Sequence, residues 1–158
     1  LLVGVAAPLL AAALPMRRYG SLILATAVQA VVFWAWHAPD AYGAALSNDA
    51  AYLVMQISLL ASAVWFWCAA RSASAPAAVI ALLAAMLAMG LLGAVLTFAG
   101  QAVYAPHAYS TLAWGLTSLE DQQAAGLIMW APAAALYLFA ALWRLGRMLS
   151  PPAEGAAA

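Results

Sequence analysis

Charge is what this sequence has least of. Of its 158 residues five are basic and five acidic, and the formal net charge is zero. A soluble domain carries about 25% charged residues and about 45–50% apolar ones. This chain has 6% and 69%. Too little polar surface remains to coat a water-facing globule, so the composition predicts an integral membrane protein whose solvent is the lipid bilayer. The missing basic excess excludes a nucleic-acid partner. The single cysteine, Cys68, excludes an internal disulfide framework and any CxxC site; it reads as a small buried hydrophobe. No nucleophile stands beside a base, and there is neither a glycine-rich phosphate loop nor an HExxH motif, so an enzyme in the ordinary sense is not expected. No internal repeat is evident beyond alanine richness, which gives a transporter little support.

What is present is a series of long apolar runs. A bilayer core about 30 Å thick needs roughly 20 apolar residues per helix. The runs predict an all-α polytopic bundle of five spans over residues 1–149: 1–14, 19–36, 50–70, 76–98 and 119–145. Ser74 is a candidate cap and Pro76 suits the first turn of the fourth. Residues 150–158, rich in proline and alanine, read as a disordered tail. The chain begins at Leu1 without methionine or a charged leader, which leaves room for sequence upstream.

The basic residues thread the chain. Arg17 and Arg18, Arg71, and Arg144 with Arg147 all fall on one side of a five-span chain, whereas Asp40, Asp49, Glu120 and Asp121 fall on the other. Arginines mark the cytoplasmic side, so the expectation is a multi-pass protein of a bacterial inner membrane, N-terminus outside and C-terminus inside. Trp34, Trp36, Tyr42, Tyr52, Tyr104, Tyr109 and Trp114 gather at the outer side, and Tyr19, Trp65, Trp67 and Trp143 toward the inner; they read as interfacial anchors. The outer connections, 38–48 and 99–118, are the long ones; His107 lies in the second and His37 immediately before the first. Any chemistry therefore faces outward.

Helical periodicity brings candidate ligands to that end. At 100° per residue Thr26, Gln29, Phe33, Trp36 and His37 share an arc; Gln29, in mid-span, should face other helices rather than lipid. Tyr52, Met55, Gln56, Leu59, Ser62 and Ala63 share another, and Gln122, Gly126, Met129 and Ala133 a third. Gly90 and Gly93 permit close approach in the fourth span. Pro132 predicts a kink in the fifth. The expected cluster is His37, Met55, His107, Asp121 and Met129, with Tyr52, Gln56 and Gln122 as supporting polar groups. Imidazole and thioether suit copper, sulfur favouring Cu(I), and the carboxylate can steer a cation or orient an imidazole. Each residue also has a plain structural reading: a loop-bonded interfacial histidine for His37, a solvated or structural one for His107, membrane packing for both methionines. At the polar head of the fifth span, Glu120 reads as a capping partner of Thr117, Asp121 and Gln122 face the cluster, and Gln123 reaches outward.

The motifs "WHAPDAYGAAL" (36–46), "FW" (66–67), "GAVLTF" (93–98), "YAPHAY" (104–109) and "WGLTSLEDQQAAGLIMW" (114–130), in this order and spacing, resemble the CtaG-type cytochrome c oxidase assembly family of bacterial membrane proteins. The resemblance implies a membrane protein that assists maturation of a haem-copper oxidase by handling copper at the outer face. It carries over His37 of the WH-x-P motif and Asp121, Gln122, Gln123, Gly126, Met129 and Trp130 of the DQQ motif. Where the family has a histidine pair four residues apart, this chain has Tyr52 and Gln56. The alternatives are a non-catalytic structural or accessory subunit of a larger respiratory or photosynthetic membrane complex, and a haem carrier with His37 and His107 as axial ligands.

Overall fold

The computed structural model describes residues 2–108 and 110–150, which are mainly helical and contain no strand. The tail from Pro151 onward and Tyr109 lie outside them. A π-helical turn, Leu2–Ala6, leads into α1, Ala7–Ala13. Helix α2 spans Leu22–Trp36 and opens on Ser21, whose hydroxyl accepts the Leu24 N–H at 3.3 Å. It stops because Pro39 forces Ala38 into extended geometry (φ −63°, ψ 134°). Pro39 then serves as the first-turn proline of α3, Pro39–Ser47, which is bent 71° from α2. Helix α4, Asp49–Ser72, is capped by Asn48, whose side-chain oxygen accepts the Ala51 N–H at 3.0 Å. Helix α5 spans Ala75–Thr97 and α6 spans Ser118–Leu149.

Several expectations change. Helices α4, α5 and α6 are long and apolar enough to cross a membrane, and the bent α2–α3 pair makes a fourth span if counted as one. Among the described residues the first expected span, Leu2–Ala13, is the short one, and α2, with 15 residues, is about 22 Å long. The stretch 38–48, read as an open connection, is mostly helix. Ser74 occupies the cap position of α5 but its side chain makes no capping bond. Pro132 lies inside α6, where a kink is expected.

The two ends of the bundle are chemically distinct. At one, Arg144 Nη2 donates to the carbonyls of Ala70 (2.8 Å) and Ala73 (3.0 Å), closing the α4–α5 turn. Arg71 donates to the last turn of α1 at Ala11, and Trp65 Nε1 donates to Tyr19 at 2.6 Å. The guanidinium bonds of Arg144 satisfy carbonyls at the C-terminal end of α4, and the Trp65 indole ties down the link before α2. The acids Asp40, Asp49, Glu120 and Asp121 belong to helix ends at the other pole.

Between the poles the core is aromatic and small. Phe66 and Tyr137 are fully buried and stack at 5.8 Å, with Trp67 5.0 Å from Tyr137. Gln29 is buried, as its mid-span place predicts, and its Nε2 donates to the Tyr137 hydroxyl at 2.7 Å. Its Oε1 has no partner among the described residues. Cys68 is buried in the same core. Helices α5 and α6 form the most intimate pair. They touch where a Cβ on Gly93 would lie 2.4 Å from Trp130 Cβ, and one on Gly126 2.7 Å from Thr97 Oγ1 and 2.9 Å from its backbone N. Gly90, expected to help, has nothing within 4 Å of its Cβ position.

Candidate functional site

At the acidic pole the end of α2, helix α3, the 3₁₀ turn Ala105–His107, the end of α5 and the first three turns of α6 enclose a cavity of about 240 Å³. His37, His107, Asp121, Gln122 and Met129 line it, joined by Tyr42 and Tyr104.

His37 is the C-cap of α2. Its Nδ1 lies 2.6 Å from the Phe33 carbonyl. A carbonyl only accepts, so Nδ1 carries the proton and Nε2 keeps its lone pair. No group among the described residues hydrogen-bonds that nitrogen. The Phe33 ring, 4.4 Å away, supports the imidazole. Tyr104 donates to the His37 carbonyl at 2.8 Å, fixing the end of α2. Burial pushes the Tyr104 phenol above its ordinary range, and the neighbouring Tyr42 adds to the shift, so Tyr104 remains a donor at physiological pH.

His107 is engaged on both sides. Nε2 lies 3.0 Å from the Tyr42 hydroxyl and Nδ1 3.9 Å from Asp121 Oδ2. The carboxylate accepts only, so the consistent tautomer has the proton on Nδ1 facing Asp121, with Nε2 accepting from Tyr42. The lone pair that could bind a metal is thus occupied by a phenol. Stacking of Tyr42 on His107 at 5.7 Å holds the pair together.

Thr117 and Glu120 form the expected reciprocal capping box, which leaves Asp121 to face the cavity. The glutamines have a different task. Gln122 Oε1 accepts the Val103 N–H at 2.7 Å, and Gln123 Nε2 donates to the Ala99 carbonyl at 3.1 Å. Together they fasten the 99–103 link to α6. Gln123 therefore binds backbone rather than reaching outward. Its partners are main-chain groups in a connection, which no side-chain pattern announces.

Met55, Gln56 and Tyr52 do not line the cavity. Helix α4 packs on α1, α2 and α3, and α3 with the 105–107 turn stands on the cavity side. Met55 is buried in packing, whereas Tyr52 is exposed. The sequence reading missed Tyr42 and Tyr104 as site residues by treating them as membrane anchors. Their signal was local: Tyr104 precedes His107 by one turn in YAPHAY, and Tyr42 follows His37 within WHAPDAY.

The donors do not form a closed metal cage. Among the described residues no three histidine, cysteine or acidic side chains converge closely enough to hold an ion. Asp121 and Met129 stand just over two turns apart on α6. The cavity thus presents one open imidazole nitrogen, one latched imidazole, a thioether and a carboxylate. Among known families, the model of the cytochrome c oxidase caa3 assembly factors, Caa3_CtaG, matches residues 4–150. No curated protein and no solved structure matches the chain.

Proposed function

The chain belongs to the cytochrome c oxidase caa3 assembly factor family, and we propose that it assists assembly of a haem-copper oxidase by passing Cu(I) through the cavity at its acidic pole. The arginine-rich pole then faces the cytoplasm of a bacterial inner membrane and the cavity faces outward. Copper is cargo in this reading, and the partners are the oxidase and the surrounding lipid. The observation that carries it is the open Nε2 of His37 on a cavity that also holds the Met129 thioether. Asp121 draws the cation to the mouth, and His37 and Met129 hold it. A cavity of about 240 Å³ is smaller than the ~300–1,000 Å³ of organic-ligand pockets, which favours an ion over haem.

Competition of the purified protein against a chromogenic Cu(I) chelator tests this. The wild type takes up copper, and His37→Ala and Met129→Ala each weaken uptake at least tenfold. The same variants leave an oxidase produced in their presence short of copper. Uptake no greater than that of the doubly substituted chain would refute copper handling while leaving family membership intact.

A second reading is favoured by the absence of a three-ligand cluster among the described residues. The chain would then be a non-catalytic accessory subunit of a larger membrane complex. It predicts stable co-purification at fixed stoichiometry without copper. Isolation always as a lone chain would exclude it.

A further inference from the structure

A second cavity, larger than the first, lies at the other pole. It measures about 740 Å³, opens beside the ends of α4 and α6 and the start of α5, and is bordered by Arg71, Arg144 and Arg147. Three of the chain's five basic residues thus share one rim, and among the described residues none of them has an ion-pair partner. Among the described residues the only ion pair is His107 with Asp121, at the far pole, where Asp40, Asp49 and Glu120 also lie; the remaining acid, Glu154, is outside those residues. Arg71 and Arg144 are held in place by the carbonyls they bind at Ala11, Ala70 and Ala73. Only Nη2 of Arg144 is engaged in this way, so donors of its fork remain. Arg147 makes no hydrogen bond among the described residues. Below the rim the wall is apolar. Leu82, Phe139 and Trp143 contribute to it, the two rings stacked at 6.3 Å and each more than half exposed.

We propose that this cavity binds one anionic phospholipid, its phosphate on the arginine rim and an acyl chain along Leu82, Phe139 and Trp143. Charge complementarity selects the head group: guanidinium forks match phosphate oxygens two at a time, and a zwitterionic lipid would bring its own cation to a site already rich in them. The volume lies within the ~300–1,000 Å³ range of organic-ligand sites, enough for a head group and part of a chain. Basic pockets between spanning helices at head-group depth commonly take such lipids, and the bilayer supplies this one continuously. The site is independent of copper handling, and its test does not involve the metal.

The full chain is placed in phosphatidylcholine nanodiscs doped with phosphatidylglycerol whose acyl chains are brominated, and Trp143 emission is isolated by subtracting Trp143→Phe. Bromine quenches an indole only at contact. Quenching is expected at low mole fractions of the anionic lipid, and Arg147→Gln should raise the half-quenching fraction about fivefold, the effect of ~1 kcal/mol per arginine near a charged membrane surface. Arg147→Lys should stay close to wild type. Native mass spectrometry gives a second readout: one phosphatidylglycerol retained by wild type and Arg147→Lys, and lost from Arg147→Gln. Equal quenching by brominated phosphatidylcholine, an unchanged Arg147→Gln, or displacement by free glycerol phosphate would each overturn the assignment, the last in favour of a soluble phosphate ligand.

Discussion

Gly93→Ala tests how closely α5 and α6 are pressed together. The added Cβ would sit 2.4 Å from Trp130 Cβ and 2.5 Å from its Cδ1. Trp130 Cβ is fixed to the α6 backbone, so the contact is relieved only by moving a helix or forcing the indole off its rotamer. Overpacking of this kind costs about 1–3 kcal/mol. Replacing glycine within a helix returns about 1 kcal/mol of propensity, which obscures the result of a single variant. Gly90, one turn away on α5, supplies the control. Its Cβ position is empty to 4 Å, so Gly90→Ala collects the propensity gain without the clash. The difference between the two variants isolates the packing term, about 1–3 kcal/mol, or roughly 5- to 150-fold in the folding equilibrium. Reversible unfolding in mixed micelles, followed by tryptophan fluorescence, measures it. Equal stability of Gly90→Ala and Gly93→Ala would refute the close approach of the helices.

Three further outcomes are expected. Tyr137→Phe removes the partner of a buried Gln29 amide and should cost about 1–3 kcal/mol. Gln29→Leu with Tyr137→Phe should recover much of that loss, since Gln29 Oε1 has no partner among the described residues; a double-mutant cycle of unfolding measures both. Tyr42→Phe releases His107 Nε2 and should tighten Cu(I) binding roughly two- to tenfold, the worth of one hydrogen bond of ~0.5–1.5 kcal/mol; weaker binding in the chelator titration would assign Tyr42 to the ligand set instead. Asn48→Ala deletes the cap of α4 and should lower stability by about 1 kcal/mol, read as a shift in the unfolding midpoint.

How far the sequence could be read depended on where each residue's partner lay. Gln29 was legible because an amide in mid-span has nowhere favourable to point except inward. Thr117 and Glu120 were legible because both halves of the capping box lie within one turn. His37 and His107 were expected at the same pole, since the arginines fix which ends of the runs coincide. Met55 misled: a helical arc says which residues share a face, but not which neighbour that face meets, and α3 stands on the cavity side. Helix α3 itself was overlooked although Pro39 and Asp40 are ordinary first-turn residues; a stretch with Gly43, between two apolar runs, reads as a connection. The tie from Gln122 and Gln123 to the 99–103 link was illegible because both glutamines bind main chain, which is the same at every position.

Under the proposed copper-passing function, the length of α6 has a bearing on delivery. Met129 lies eight residues beyond Asp121 on that helix, about 12 Å along its axis. If Asp121 marks the membrane surface, an ion that has reached the thioether is already more than a third of the way through a hydrocarbon layer about 30 Å thick. A water-borne recipient would have to push a ligand-bearing loop to that depth. An acceptor already resident among the lipids could meet the ion sideways, helix against helix, without either protein exposing it to the aqueous phase.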